Sequence, residues 1–194
     1  MRFSFLASHG GSSARAIIQA IRAGRLGPSA SIGVLITNNR AAPIHAWCLE
    51  HKVPVRHISG KTHPDSEDKS IAEALAEAGS DWVILSGYMK KIGQQTLAKF
   101  SSRMLNIHPS LLPKHGGAGL YGDFVHQAVL DAGDSESGAT VHWVTEHYDQ
   151  GPIVLQQTVP VLPDDTVTSL GQRVRAIEPE LYLQALEKLL PTQP

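Results

Sequence analysis

The sequence holds one cysteine, Cys48, among 194 residues, so it can form no internal disulfide and has no thiolate set for zinc or an iron–sulfur cluster. A chain with so little cysteine is expected in a reducing compartment, here the cytoplasm. It also lacks an excess of either charge, with 17 Lys plus Arg against 18 Asp plus Glu and a formal net charge of −1. A protein that grips nucleic acid by its phosphates carries a basic excess, so nucleic acid is not the expected partner, and any phosphate must be held by a local site. No apolar run approaches the ~20 residues of a membrane span. The opening MRFSFLASHGG lacks the long apolar run and cleavage site of an export signal. Several catalytic signatures are missing as well: the loop after the first apolar run carries no GxGxxG and is not followed by GK[ST], and HExxH and GxSxG are absent from the chain. Aromatic residues make up only 6%, yet the hydrophobic share of 42% is enough for a core and excludes a disordered chain.

What is present is an alternation of short apolar runs with helical spacings. Phe3 to Ala7, Ile32 to Thr37, Val53 to Ile58 and Asp81 to Ser86 read as strands. Between them Ser12 to Arg22, Ile44 to His51 and a segment from Asp65 or Ser66 to about Ala78 read as helices. Strands apolar on both faces and separated by helices imply a parallel sheet covered on both sides, a Rossmann-like, doubly wound α/β arrangement. Beyond Phe100 the rhythm changes. Met104 to Ile107 is a brief strand, followed by a long glycine-rich loop and a helix over about Asp123 to Asp131. Thr140 to Val144 and Val154 to Val161 alternate polar with apolar and predict antiparallel C-terminal strands; a last helix spans Thr166 to Leu190, with a bend expected before Pro179. No linker or repeat interrupts residues 1–194, which predicts one domain.

Three segments could carry chemistry. Ser8-His9-Gly10-Gly11-Ser12-Ser13, between the first strand and first helix, offers backbone N–H groups and hydroxyls to an anion, or is simply a glycine turn with a serine cap. Asn106 and His108 lie two apart and so on one face of a strand, an amide donor beside an imidazole, able to stabilise an oxyanion. The plainer alternative is a satisfied half-buried histidine before a turn. Asp149, in Tyr148-Asp149-Gln150-Gly151-Pro152, is either a turn residue or, if brought near His108, a carboxylate that holds the ring and favours its charged form. The remaining histidines, His142 and His147 among them, show no metal-binding spacing.

Together these segments resemble the phosphoribosylglycinamide formyltransferase family of folate-dependent purine synthesis. The likeness covers nearly the whole chain and is densest at Leu105 to Lys114 (LNIHPSLLPK) and Gly138 to Pro152 (GATVHWVTEHYDQGP). The serine–glycine loop favours this branch over relatives acting on initiator methionyl-tRNA or amino sugars. The resemblance implies the formyltransferase fold, 10-formyltetrahydrofolate as the formyl donor, no metal, and 5-phosphoribosylglycinamide as the acceptor. It implies that Asn106 and His108 polarise the formyl group as a tetrahedral oxyanion forms, with Asp149 keeping His108 charged and helping to move protons. Gly11, Ser12 and Ser13 would take the substrate phosphate, and Glu178 would contact its glycinamide or ribose. Met89, Lys90, Lys91 and Ile92 would hold the folate, with Thr145 opening the loop around the pterin head. The partners implied are small molecules, with no nucleic acid and no membrane, for a monomer or homodimer.

The sequence departs from the family pattern at Ser13, where asparagine is common, and at Lys90, where arginine is frequent. An arginine usual between the third strand and its helix is missing, Lys61, His63 and Lys69 being the nearest basic residues. The loop His115 to Asp123 (HGGAGLYGD) is longer and richer in glycine. A formyltransferase for another small amine, such as an amino sugar, or a 10-formyltetrahydrofolate hydrolase would use the same Asn106, His108 and Asp149. A non-catalytic binding module would have no use for them.

Overall fold

The computed structural model describes residues 1–190 and contains a seven-stranded sheet in the order β3-β2-β1-β4-β5-β6-β7. The chain groups into two compact units, Met1–Leu105 and the part from Asn106 onward. In the first, β1 (Arg2–Ala7) is central and runs parallel to β2 (Ser31–Thr37) on one side and β4 (Trp82–Leu85) on the other. The short β3 (Val55–His57) joins β2, and the start of β5 (Met104–His108) joins β4, all parallel. Phe3, Phe5, Leu35, Ile36, Val83 and Ile84 are wholly buried, which is why these strands read as mostly apolar runs rather than alternating ones.

The helices α1 (Ser12–Arg22), α2 (Pro43–Glu50) and α3 (Glu67–Glu77) lie where the apolar periodicity puts them, with Ile17, Ile18, Ile44 and Leu75 turned inward. A fourth helix, α4 (Gln94–Lys99), was not expected from the spacing. Its cap comes from a distant residue. Asp68 of α3 accepts hydrogen bonds from the backbone N–H of Gln95 (2.8 Å) and Thr96 (3.1 Å) and from the Thr96 hydroxyl (2.6 Å). A carboxylate on the first free N–H groups of a helix satisfies donors that would otherwise go unpaired and complements the dipole. Gly93 is required there, because a Cβ at that position would run into the Asp68 carboxylate.

In the second unit, β6 (Glu136–Trp143) and β7 (Ile153–Pro160) form an antiparallel pair whose register shifts between Val141 and His142. β6 starts four residues before the expected Thr140. Ser137 and Gly138 look like turn residues in isolation but pair with Val159 and Thr158. The helices α5 (Asp123–Ala132) and α6 (Val167–Leu189) complete the unit, and α6 runs through Pro179 without interruption. α6 packs on both β6 and β7 and buries Leu170, Val174, Tyr182 and Leu186. Its start is fixed by a reciprocal cap between Thr166 and Ser169 and by Asp165, which takes both guanidinium arms of Arg173 at 2.6 and 2.9 Å. Arg173, the Leu162 N–H and the Ser169 hydroxyl hold the Asp165 carboxyl well below the usual carboxylate range.

Cys48 is buried, and burial pushes its thiol up to about 11. Among the described residues, no helix is long and apolar enough to cross a membrane.

Candidate active site

Because β5 reaches one residue further than expected, Asn106 and His108 both belong to it. The alternation of a strand turns them to one side, and the structure brings them together with His142 and Asp149. Asn106 Nδ2 donates to His142 Nε2 at 3.2 Å. That direction follows from the other ring nitrogen, since His142 Nδ1 donates to the Trp143 carbonyl at 3.0 Å and leaves Nε2 as the acceptor. Burial shifts His142 towards its neutral form, against the opposing pull of the Trp143 carbonyl and Asp149, so it serves as a neutral acceptor that orients the Asn106 amide. One Nδ2 hydrogen of Asn106 is then used, and the second remains for another acceptor.

His108 is 4% exposed. Its Nε2 donates to the carbonyl of His115 at 2.8 Å, while its Nδ1 stands 3.5 Å from Asp149 Oδ2. The ring is therefore held by the His115 carbonyl, with the Asp149 carboxylate at ion-pair range of its other nitrogen. Asp149 Oδ1 is also 3.5 Å from His142 Nε2, and Asp149 Oδ2 accepts the N–H of Gly117 at 2.9 Å. The aspartate sits in a turn at φ 55, a left-handed conformation that this short polar residue tolerates better than most. His142 had no distinguishing signal beyond its position in an alternating strand, two residues from the buried Thr140.

The segment following His108 is strapped to the hairpin by a buried junction. Thr140, wholly buried, donates its hydroxyl to the Ser110 carbonyl (2.6 Å) and accepts from Leu112 N–H (3.1 Å) and Gln156 Nε2 (2.9 Å). Gln156 Nε2 also reaches the Leu112 carbonyl at 2.8 Å. Thr140→Val keeps the shape but strips all three bonds and leaves a buried N–H unpaired, an expected cost of roughly 2–4 kcal/mol. A urea denaturation midpoint unchanged from the parent would show that the junction contributes nothing.

The other candidate residues lie as follows. In the first unit, Gly11 precedes α1 at φ 58, Ser12 is exposed, and the Ser13 hydroxyl is buried without a hydrogen-bond partner. Ser8 Oγ accepts the N–H of Met89 at 2.9 Å, joining this loop to the segment after β4. Met89 and Lys91 are exposed and Ile92 is buried. Lys90 places its ammonium 3.1 Å from both oxygens of Glu67. Lys61 is exposed, His63 bonds Thr62, and Lys69 pairs along its own helix with Glu73. In the second unit, Thr145 is exposed and its hydroxyl closes a local turn with His147. Glu178 is partly buried on α6, and burial pushes its carboxyl up to about 7 despite the nearby Arg175. Among the described residues, no cluster of three or more His, Cys, Asp or Glu is arranged to hold a metal.

An amide donor fixed by a neutral imidazole, beside a second imidazole facing a carboxylate, can stabilise a developing oxyanion and move a proton. Comparison with known proteins gives the family. The formyl transferase family model matches residues 1–186, and the chain belongs to that family. Within it, the chain is placed with the phosphoribosylglycinamide formyltransferases. It is 37% identical to the chloroplastic phosphoribosylglycinamide formyltransferase of Vigna unguiculata over 97% of its own length and 60% of the relative's. The chain thus spans less than two thirds of that relative. It covers far more of the solved bacterial structures. With phosphoribosylglycinamide formyltransferase from Bacillus halodurans it shares 34% identity and a TM-score of 0.89, covering 99% of this chain and 96% of the other. With glycinamide ribonucleotide transformylase 1 from Symbiobacterium toebii the values are 34% and 0.89, over 100% and 91%.

Proposed function

We propose that this chain transfers a formyl group from 10-formyltetrahydrofolate to the amine of 5-phosphoribosylglycinamide, a step of purine synthesis. The observation that carries this reading is the convergence of Asn106, His108, His142 and Asp149. The folate supplies the formyl group, and the chain supplies the surroundings of its carbonyl. The second Asn106 Nδ2 hydrogen and a proton on His108 Nδ1 neutralise the charge that develops on the formyl oxygen. Asp149 balances the imidazolium and, with His108, relays the proton lost by the attacking amine to N10 of the folate, which leaves as its bond to the formyl carbon breaks. Each such donor is worth roughly 3–4 kcal/mol of transition-state stabilisation in oxyanion holes of this kind.

Gly11, Ser12 and Ser13 take the phosphate at the start of α1, and the buried, unpartnered Ser13 hydroxyl supports that role. Met89, Lys90, Lys91, Ile92 and Thr145 take the folate. With its ammonium tied to Glu67, Lys90 meets a folate carboxylate only by sharing or exchanging that partner. Glu178 takes the glycinamide or ribose. We read residues 1–194 as one formyltransferase domain, active in the cytoplasm on small molecules as a monomer or homodimer, with no metal.

The test is an assay of tetrahydrofolate release from 10-formyltetrahydrofolate, with and without phosphoribosylglycinamide. Release that requires the acceptor and equals formylated product is the expected result. Release without the acceptor would make the chain a hydrolase, and release only with an amino sugar would move the acceptor.

A further inference from the structure

His108 owes its ring orientation to a backbone carbonyl, and that carbonyl belongs to a residue with an anchor of its own. His115 is held at φ 52, in the left-handed region that costs a residue with a Cβ and that glycine, which follows it at residues 116 and 117, enters freely. If backbone shape alone were needed at residue 115, glycine would supply it without strain. Instead the position carries a histidine whose side chain is only 16% exposed and whose Nε2 lies 2.8 Å from Asp134 Oδ2. The other oxygen of Asp134 takes the Lys114 ammonium at 3.0 Å, so one carboxylate pins two successive residues. Those two bonds also hold the Asp134 carboxyl below its ordinary range. The preceding turn is fixed too, by the Ser110 hydroxyl donating to the Lys114 carbonyl at 2.6 Å.

We propose that the Asp134–His115 pair is a positioning device for His108. The carboxylate anchors the His115 ring, the anchored residue aims its carbonyl at His108 Nε2, and that bond keeps the hydrogen on Nε2, so that only Nδ1 gains and loses a proton. Which nitrogen of a histidine reacts is set by the bond the other one makes. Released from the carbonyl, the ring can rotate and present Nε2 in place of Nδ1 towards Asp149, and a fraction of the molecules is then miswired. The inference rests on the reading of His108 as the reacting imidazole.

The experiment uses the full chain labelled with ¹⁵N-histidine. It follows the His108 Nε2–H resonance and, separately, kcat and KM. Asp134→Ala and His115→Phe are expected to lose the slowly exchanging Nε2–H signal. They should lower kcat roughly 10- to 100-fold, the range seen when outer partners of a functional histidine are removed, with little change in either KM. Asp134→Asn still accepts from His115 Nε2–H and should keep the signal and most of kcat. If Asp134→Ala fails to fold, His115→Phe is judged by the same criteria. An unchanged His108 signal in either variant overturns the proposal, as does an Asp134→Asn enzyme as impaired as Asp134→Ala. His108→Ala separates the two claims: normal turnover there removes His108 from the reaction, while the resonance in the other variants still decides whether the pair orients the ring.

Discussion

His108→Ala should lower kcat by about three orders of magnitude while the chain stays folded. The size follows from what one ring does: a positioned acid and base contributes roughly 10²–10⁴-fold, and an oxyanion donor a comparable factor. The two are not additive when one group plays both parts. The fold should survive because the lost contacts are a hydrogen bond to the His115 carbonyl and an ion pair with Asp149, whereas the β5 backbone remains paired through Met104 and Leu105. Circular dichroism with steady-state kinetics on the same preparation checks both halves. A folded variant with near-normal kcat would take the reaction away from this histidine and leave Asn106 as the donor to examine.

Glu178→Gln is expected to raise stability and weaken acceptor binding together. The Glu178 carboxyl titrates near 7 in the folded chain against 4.5 as its ordinary value, with burial as the larger cause. Between those values the folded state holds a proton that the unfolded state has released. The contribution of Glu178 to stability therefore falls as pH rises from about 4.5 to 7 and is level above, opposite in sign to that of the buried His126 and His142, and its loss at pH 8 is at most about 3 kcal/mol. Glutamine carries no charge to desolvate, so the variant should recover much of that loss at pH 8, gain nothing at pH 4, and flatten the profile between. If the carboxylate meets a substrate donor, its removal should raise KM for the acceptor roughly 10- to 100-fold with a smaller change in kcat. Urea denaturation at pH 4, 6 and 8 reads the first effect and initial rates the second. A Glu178→Gln variant whose stability runs parallel to the parent's from pH 4.5 to 7 would contradict the carboxyl's assignment, and an unchanged acceptor KM would remove Glu178 from the site.

The parallel half of the sheet was legible because burial on both faces leaves a local trace: β1, β2 and β4 are mostly apolar and almost wholly buried, and α1 has its expected bounds, Ser12 to Arg22. Features settled by distant partners left no such trace. α4 depends on Asp68, 27 residues before Gln95, and the early part of β6 depends on β7. The site divided in the same way. Asn106 and His108 could be paired from strand alternation, because residues two apart share a face. That His142 would complete the cluster could not be read, because a histidine in an alternating strand is equally at home as a packed core residue. Nor could the tie between Lys90 and Glu67, which lies across two elements with no fixed spacing between them.

The buried junction at Thr140 also bears on the order in which the molecule becomes competent. Strands β6 and β7 are near neighbours in sequence and can zip locally, and local pairings form early at low entropic cost. The segment 110–117 has no regular structure of its own, and its first residues, Ser110 and Leu112, are held by Thr140 and Gln156, so that end of it settles onto a formed hairpin. Alignment of the His108 ring is then among the last features acquired during folding. It is also among the first lost when the hairpin frays, because local opening requires far less free energy than unfolding the parallel strands. A population that retains nearly all its secondary structure can thus already be silent in catalysis.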